Sequence, residues 1–257
     1  MSDRNDTRLA NTLIIPRTAG AAAALLLLLA AAFTPHRAAY ASMNIAGKGT
    51  KMAAVAALAA APFSMGATAA PAEDTRPVIA CFGDSLTAGY GVDEENSYPA
   101  DLQRDLDAAG YHYRVVNLGI SGETTKDGLA RIDRVLALKP AIVIVEFGGN
   151  DGLRGVPVAS SRANLDGILS RLKSSGTHIA LAGITLPPQY SHPYIQAFNQ
   201  TYTLLAKKYA VPLLPFMLQN VWGVPGSIQP DGVHPTAQGC TQVAKNVMGL
   251  IKPLLKK

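Results

Sequence analysis

Ser85, Asp231 and His234 are the residues of this sequence whose types and spacing best suit nucleophilic chemistry. A serine hydroxyl is a weak nucleophile until a neighbouring base takes its proton, and imidazole can act as that base because it titrates near neutral pH. The base also needs an acidic partner that fixes its tautomer and stabilises the imidazolium form. Asp231 stands three residues before His234, so both side chains can meet within one turn. No other histidine of the five has a carboxylate at that upstream spacing.

Attack on a carbonyl group also needs hydrogen-bond donors for the negative oxygen that forms. The backbone N–H groups of Ser85 and Gly122 and the side-chain NH2 of Asn150 are candidates for these donors. Taken singly, each residue has an ordinary structural explanation, since Ser is a common helix cap and Asn a common turn residue. Catalysis is favoured because each one follows a predicted strand, and because they occur together with Asp231 and His234.

The strands are predicted from five short apolar segments, which occupy residues 78–82, 113–118, 141–147, 178–183 and 211–214. The first and third segments are apolar throughout, which is typical of parallel strands covered on both faces. Alternation of these strands with amphipathic helices predicts one α/β domain with a parallel sheet and right-handed crossovers. Because the carboxyl ends of parallel strands meet at one edge of the sheet, we expect the site residues to converge there.

The helical pattern also makes three specific predictions. Leu129, Ile132 and Leu136 recur at spacings of three and four, so they should share one helix. Asp101 should point outward from its helix. The last helix should begin at Pro235, since proline needs no N–H donor in the first turn.

The basic charge of the chain is concentrated in its first part. The 257 residues carry a net charge of +5, but six of the 23 Lys and Arg residues and only two of the 18 Asp and Glu residues precede Glu73. The remainder is nearly neutral and lacks the electrostatic pattern of a nucleic-acid-binding protein. Residues 73–257 are therefore interpreted as a single domain with small-molecule partners and no nucleic acid.

Residues 1–72 are interpreted as an export leader with two signal-like segments in series. In each segment basic residues precede an apolar run, at 19–33 and at 52–61, and small residues that suit cleavage follow. Translation from Met43 would explain the duplication. Either run is shorter than the about 20 residues of a membrane span, although an uncleaved anchor is the alternative. We therefore expect a periplasmic or secreted protein with no stable membrane span in its mature form.

Both cysteines fall within the predicted domain. Cys81 lies in an apolar run and Cys240 in a helical pattern, so we expect two separately buried thiols, although export would permit a disulfide. No cluster of Cys and His residues has the spacing of metal ligands, so we expect no metal site.

The sequence resembles the GDSL, or SGNH, hydrolase superfamily. Within that superfamily it is most similar to the bacterial thioesterase I, protease I and lysophospholipase L1 group, whose members are often called arylesterases. The resemblance covers nearly all of residues 73–257. It rests on the blocks FGDSLTAGYG, NLGISGETT, VEFGGNDGLRG and DGVHP, and on the stretches ITLPPQY and VPLLPF.

The resemblance implies a flavodoxin-like three-layer α/β/α sandwich with a five-stranded parallel sheet. It implies that Ser85 is the nucleophile, that Asp231 and His234 complete the triad, and that Ser85, Gly122 and Asn150 form the oxyanion hole. It further implies that Leu186 and Pro187 help to recognise the acyl chain. The resemblance implies that the substrates are aryl and short-chain esters, acyl-CoA thioesters and lysophospholipids, and that neither a cofactor nor a metal is needed. We also expect a monomer.

Two alternatives share parts of this pattern. A carbohydrate acetylesterase of the same superfamily has the same four blocks, so that only its substrates differ. A flavodoxin-like phosphate- or flavin-binding module could use the glycine-rich strand ends as a cradle. The second alternative leaves Asp231, His234 and Asn150 without a role.

Overall fold

A computed structural model of the protein describes residues 74–257, which form a sheet between two layers of helices. This is the α/β/α architecture that the family resemblance implies. The predicted leader at 1–72, with its two signal-like segments and the proposed start at Met43, lies outside the described residues.

The sheet has five parallel strands, β1 (Val78–Gly83), β2 (Arg114–Asn117), β3 (Ile142–Glu146), β4 (His178–Ala182) and β5 (Leu213–Leu214). Their order is β2-β1-β3-β4-β5, which is the flavodoxin-like order. Every residue of β1 and β3 is buried, as their continuous apolar sequence predicts. β5 is shorter than the predicted segment because Pro212 has no N–H to donate; its carbonyl accepts a hydrogen bond from Leu181 at 2.9 Å.

The α-helices of the described residues are α1 (Ser85–Ala88), α2 (Tyr98–Ala108), α3 (Thr125–Ala130), α4 (Ile132–Ala137), α5 (Gly149–Leu153), α6 (Val158–Ser174), α7 (His192–Tyr209) and α8 (Ala237–Ile251). Short 3-10 turns cover Glu94–Asn96 and Lys252–Leu254. α2 packs against α8, whereas α6 packs against α3, α4 and α7. The crossover from β1 to β2 runs across the sheet in the opposite direction to the later crossovers. Right-handed connections therefore place these two groups of helices on opposite faces.

The single helix predicted through residues 129–136 is wrong, because the chain is divided there into α3 and α4 at Arg131. Arg131 leaves helical geometry, with φ −108° and ψ 11°. Its guanidinium donates hydrogen bonds to the main-chain carbonyls of Gly83 (3.1 Å) and Leu118 (2.8 Å). It also lies over the Phe82 ring, 4.6 Å from the centroid. The side chain thus joins the end of β1 to the residue that follows β2, and the interruption of the helix allows it to turn inward.

The prediction that Asp101 points outward is also wrong. Asp101 is buried between α2 and α8, where its carboxylate accepts a hydrogen bond from the Thr241 hydroxyl at 3.1 Å. Arg104, one turn further along α2, forms an ion pair with the same carboxylate. A buried carboxylate is tolerated here because both of its oxygens have partners.

The last helix begins two residues later than predicted, at Ala237 rather than at Pro235. Thr236 is the N-cap, and its hydroxyl accepts the backbone N–H of Gly239 at 3.2 Å. Pro235 instead belongs to the preceding loop, where it forms an isolated antiparallel bridge with Ile228.

The two cysteines are both free and buried, as the sequence predicts. Burial raises the pKa of the Cys81 thiol to about 12 and that of the Cys240 thiol to about 11. Since the thiolate is the reactive form, neither side chain is a candidate nucleophile.

Candidate active site

Ser85 lies where β1 gives way to α1, and it is the first residue of that short helix. Asp84 is the N-cap, with its Oδ1 accepting the N–H of Leu86 at 3.1 Å. The first N–H groups of a helix have no acceptor within the helix, and the N–H of Ser85 donates to no acceptor within residues 74–257. The turn thus presents both a hydroxyl and a free backbone donor at one residue.

His234 joins Ser85 to Asp231 through its two ring nitrogens. Nε2 lies 2.8 Å from the Ser85 Oγ, across a sequence separation of 149 residues. Nδ1 lies 2.7 Å from the Asp231 Oδ2. With its proton on Nδ1, donated to Asp231, the imidazole accepts a hydrogen bond from the Ser85 hydroxyl at Nε2. The three side chains that the sequence predicts to act together therefore form one continuous hydrogen-bonded chain.

The turn that carries Asp231 and His234 is itself held by the Asp231 carboxylate. Its Oδ1 accepts the backbone N–H groups of Val233 (2.9 Å) and His234 (3.0 Å), leaving Oδ2 for the imidazole. Burial raises the pKa of Asp231, but the hydrogen bonds from these N–H groups and from the His234 ring outweigh it. The pKa of Asp231 therefore lies below its ordinary value, and the carboxylate stays charged beside the ring.

The predicted oxyanion donors lie on the two neighbouring loops. Gly122 follows β2 with φ +83°, a conformation that favours glycine, and its N–H donates to no acceptor among the described residues. Asn150 is the second residue of α5, after β3. Its Nδ2 donates to the Asp84 Oδ2 at 3.2 Å and to the Glu123 carbonyl at 2.9 Å. Asn150 is thereby bonded to the residue before Ser85 and to the residue after Gly122.

Asp151 fixes α5 in place beside Asn150. Its buried carboxylate accepts the backbone N–H of Thr125 at 2.8 Å and the Thr125 hydroxyl at 2.5 Å. The same hydroxyl accepts a hydrogen bond from the Asn164 side chain at 3.0 Å. Asp151 therefore anchors α5 to α3 and, through Asn164, to α6, a role that the sequence analysis does not predict.

A buried pair of carboxyl groups, Asp84 and Glu146, lies beneath the Ser85 turn. The Glu146 Oε2 accepts a hydrogen bond from the Thr87 hydroxyl at 2.9 Å and from the Asp84 N–H at 3.3 Å. Burial raises the pKa of Asp84 to about 6. Burial, with the neighbouring Asp84 charge as the next cause, raises the pKa of Glu146 well above its ordinary value. Sequence reasoning assigned no role to this pair, although a carboxyl group inside the apolar run 141–147 is a signal for it.

The predicted acyl-chain residues lie beside α5. Leu186 is buried, and a Cβ placed on Gly152 of α5 would lie only 2.2 Å from its Cδ2. Pro187 is half-buried. Leu186 thus packs directly against the helix that carries Asn150, and contact of either residue with a substrate stays a prediction.

A cavity of about 660 Å³ lies at the opposite edge of the sheet from Ser85. Pro77, Ala141 and His178 line it at the amino ends of β1, β3 and β4. None of the predicted site residues contributes to this cavity. Within residues 74–257 there is no cluster of three or more His, Cys, Asp or Glu side chains that could hold a metal ion, and no helix is both long and apolar enough to cross a membrane.

The fold is that of the SGNH hydrolases. The crystal structure of TesA superposes with a TM-score of 0.67 at 42% sequence identity, covering 69% of this chain and 99% of that chain. Among curated proteins, Esterase TesA of Pseudomonas aeruginosa is 44% identical over 174 residues, which are 67% of this chain and 87% of the relative. Thioesterase 1/protease 1/lysophospholipase L1 of Escherichia coli strain K12 is 38% identical over 187 residues, which are 72% of this chain and 87% of the relative.

Residues 81–241 match the GDSL-like lipase/acylhydrolase family, and the chain belongs to that family. It is therefore an enzyme that hydrolyses ester bonds. This assignment agrees with the resemblance found in the four sequence blocks, and it favours a hydrolase over a flavin-binding module.

We expect Glu146→Gln to flatten the pH dependence of stability. Because the pKa values of Asp84 and Glu146 are raised in the folded protein, the folded state binds more protons than the unfolded chain above about pH 4. The free energy of unfolding of the wild type should therefore fall as the pH rises through about 6. The amide side chain of the variant cannot ionise, so only Asp84 of the pair still contributes to the pH dependence. Between about pH 4 and 7 the free energy of unfolding should fall by about 1–3 kcal/mol more in the wild type than in the variant.

Urea unfolding at a series of pH values measures this difference. Glu95→Gln is the matched control, since Glu95 is exposed and should keep the wild-type slope. Equal slopes in all three proteins would contradict the raised pKa values.

Proposed function

We propose that this enzyme cleaves carboxylic esters and thioesters through an acyl-serine intermediate at Ser85. The observation that carries the proposal is the contact of 2.8 Å between the Ser85 Oγ and the His234 Nε2, with Asp231 bonded to the other ring nitrogen. A nucleophile within hydrogen-bond reach of a base, and a base oriented by a third group, are the features that activate a serine.

In the first step the Ser85 Oγ forms a bond to the acyl carbonyl carbon as its proton passes to the His234 Nε2. The carbonyl π electrons move to the oxygen, which becomes an oxyanion. The N–H groups of Ser85 and Gly122 and the Nδ2 of Asn150 would donate hydrogen bonds to this oxygen. An oxyanion is a stronger acceptor than a neutral carbonyl, so it can replace Glu123 as the partner of Asn150.

In the second step the oxyanion re-forms the carbonyl and expels the alcohol or thiol. The protonated His234 gives its proton to that leaving group, and the acyl group remains on Ser85. Water then attacks the acyl-serine as His234 takes a proton from it, and the reverse transfer restores the Ser85 hydroxyl. The Asp231 carboxylate stabilises the imidazolium in both half-reactions.

The surface around the site favours substrates with an apolar acyl group. Exposed apolar side chains lie within three residues of a site residue at Ile120, Leu153 and Val233, and the exposed Tyr90 ring packs against the His234 ring. Leu186, which packs against Gly152 of α5, and its neighbour Pro187 are proposed to help recognise the acyl chain. We therefore propose aryl and short-chain esters, acyl-CoA thioesters and lysophospholipids as substrates, with the names of the relatives as support. The enzyme is proposed to act as a monomer without a metal or cofactor.

We also propose that the protein is exported to the periplasm or beyond, and that residues 73–257 are the mature domain. The support is the sequence of 1–72, with its two signal-like segments. Sequencing the N-terminus of the mature protein tests both this proposal and translation from Met43. Cleavage after residue 69 or 72 is the expected result, whereas a mature protein that begins at Ser42 would contradict the start at Met43.

Ser85→Ala should lower ester turnover by about 10⁴–10⁶, because the acyl-serine cannot form. The measurement is hydrolysis of p-nitrophenyl esters of graded chain length, beside an acyl-CoA, a lysophospholipid and an acetylated xylo-oligosaccharide. The wild type should also be labelled by a fluorophosphonate, which reacts with an activated serine, and the variant should not. Ser170→Ala, at an exposed position on α6, is the control.

Near-normal hydrolysis by Ser85→Ala would refute the assignment of the nucleophile. Activity confined to the acetylated sugar would instead favour the carbohydrate acetylesterase alternative.

Asn150→Ala should lower kcat by about 10²–10³, equivalent to about 2.7–4 kcal/mol of transition-state stabilisation. The reason is that Nδ2 donates to the oxygen only after charge develops there, so KM should change little. Steady-state kinetics with one p-nitrophenyl ester measures the two constants separately. Asn199→Ala, at an exposed position on α7, serves as the control, and an effect on KM alone would refute the role.

A further inference from the structure

Gln229 lies between the segment that carries Ser85 and the turn that carries His234. Its side-chain Nε2 donates one hydrogen bond to the Tyr90 carbonyl and another to the Pro235 carbonyl, both at 2.8 Å. Its own backbone N–H donates to the His234 carbonyl, also at 2.8 Å. Both protons of the amide are therefore used, and one of them reaches a carbonyl 139 residues away from Gln229 in the sequence.

These bonds close a ring around the contact between Ser85 and His234. The Tyr90 N–H donates to the Ser85 carbonyl at 3.1 Å, so one residue links the nucleophile to Gln229. Gln229 in turn bonds to His234 through its backbone, and the His234 ring returns to the Ser85 hydroxyl. A change in the position of Gln229 should therefore change the distance between Ser85 and His234.

The side-chain amide of Gln229 packs closely against the backbone of Gly91. A Cβ placed on Gly91 would lie 2.2 Å from the Gln229 Oε1, so any other residue at position 91 would displace the amide. Next to it, the exposed Tyr90 ring packs against the His234 ring, with 4.6 Å between the centroids. The Tyr90 ring thus restrains the imidazole of His234, while Gln229 restrains the backbone of His234.

We propose that Gln229 is a positioning residue, which holds Ser85 and His234 at proton-transfer distance. The proposal rests on the proposed function, since it concerns the same proton transfer. Gln229 acts through the backbones of its neighbours and not through the substrate. A displacement of about 1 Å between catalytic groups can cost about 100-fold in rate, so a loss of this restraint should be visible in kcat.

Gln229→Met is the first variant to test, because Met has a similar length and shape but donates no hydrogen bond. We expect kcat for a p-nitrophenyl ester to fall by about 10- to 100-fold, with KM within about twofold of the wild type. The rate of fluorophosphonate labelling should fall by a similar factor, because it depends on the same activated serine. Gln196→Met, at an exposed position on α7, is the matched control and should behave as the wild type.

Thermal unfolding of each variant separates positioning from folding. Gln229→Asn is the second variant, and it keeps the amide but is one methylene shorter, so that it can reach only one of the two carbonyls. A folded Gln229→Asn should show a smaller loss of kcat than Gln229→Met, and it provides the measurement if Gln229→Met does not fold.

The proposal is overturned if folded variants keep kcat within about twofold of the wild type, or if the loss of activity only follows the loss of folded protein. Ser85→Ala distinguishes this result from a failure of the proposed function. If Ser85→Ala is inactive while the Gln229 variants are fully active, only the positioning role is wrong. If Ser85→Ala is itself active, the proposed function is wrong.

Discussion

The register between β1 and β3 is the constraint on which the rest of the site depends. Gly83 at the end of β1 pairs with Glu146 at the end of β3, so the two strands finish side by side. Ser85 then follows the first strand after one residue, and Asn150 follows the second after three. From β1 the chain crosses to one side of the sheet, to β2, whereas from β3 it crosses to the other side, to β4. The carboxyl ends of β1 and β3 therefore border a crevice, which is where open α/β sheets bind ligands. A slip of one residue in this pairing would turn every side chain of either strand to the other face.

The same register has an energetic cost. It buries the carboxyl group of Glu146, at the end of β3, against Asp84, the N-cap of α1. Glu146 accepts hydrogen bonds from Thr87 and from the Asp84 backbone, while its other oxygen has no partner among the described residues. A buried charge of this kind is costly, and the raised pKa values indicate that the pair favours a protonated state. Asp84 also accepts a hydrogen bond from Asn150, so the pair supports the turn and a candidate oxyanion donor together.

The sequence predicts the order of strands and helices because buried parallel strands and amphipathic helices have distinct local periods. It also places Ser85 and Asn150 at strand ends, since glycine and small polar residues interrupt those periods, and it places Asp231 and His234 just before the last helix. The break at Arg131, the burial of Asp101 and the contacts of Gln229 could not be predicted in this way. Each is decided by a partner far along the chain, such as the carbonyls of Gly83 and Tyr90 or the hydroxyl of Thr241. Local propensity carries no information about such partners.

The two buried thiols have a consequence for how the domain can be made. Cys81 and Cys240 form no covalent link and sit within the hydrophobic core, so no oxidation step is needed to complete the fold. The polypeptide can therefore reach its final packing in a reducing compartment as readily as in an oxidising one. The catalytic residues can therefore assemble without the formation of a disulfide bond.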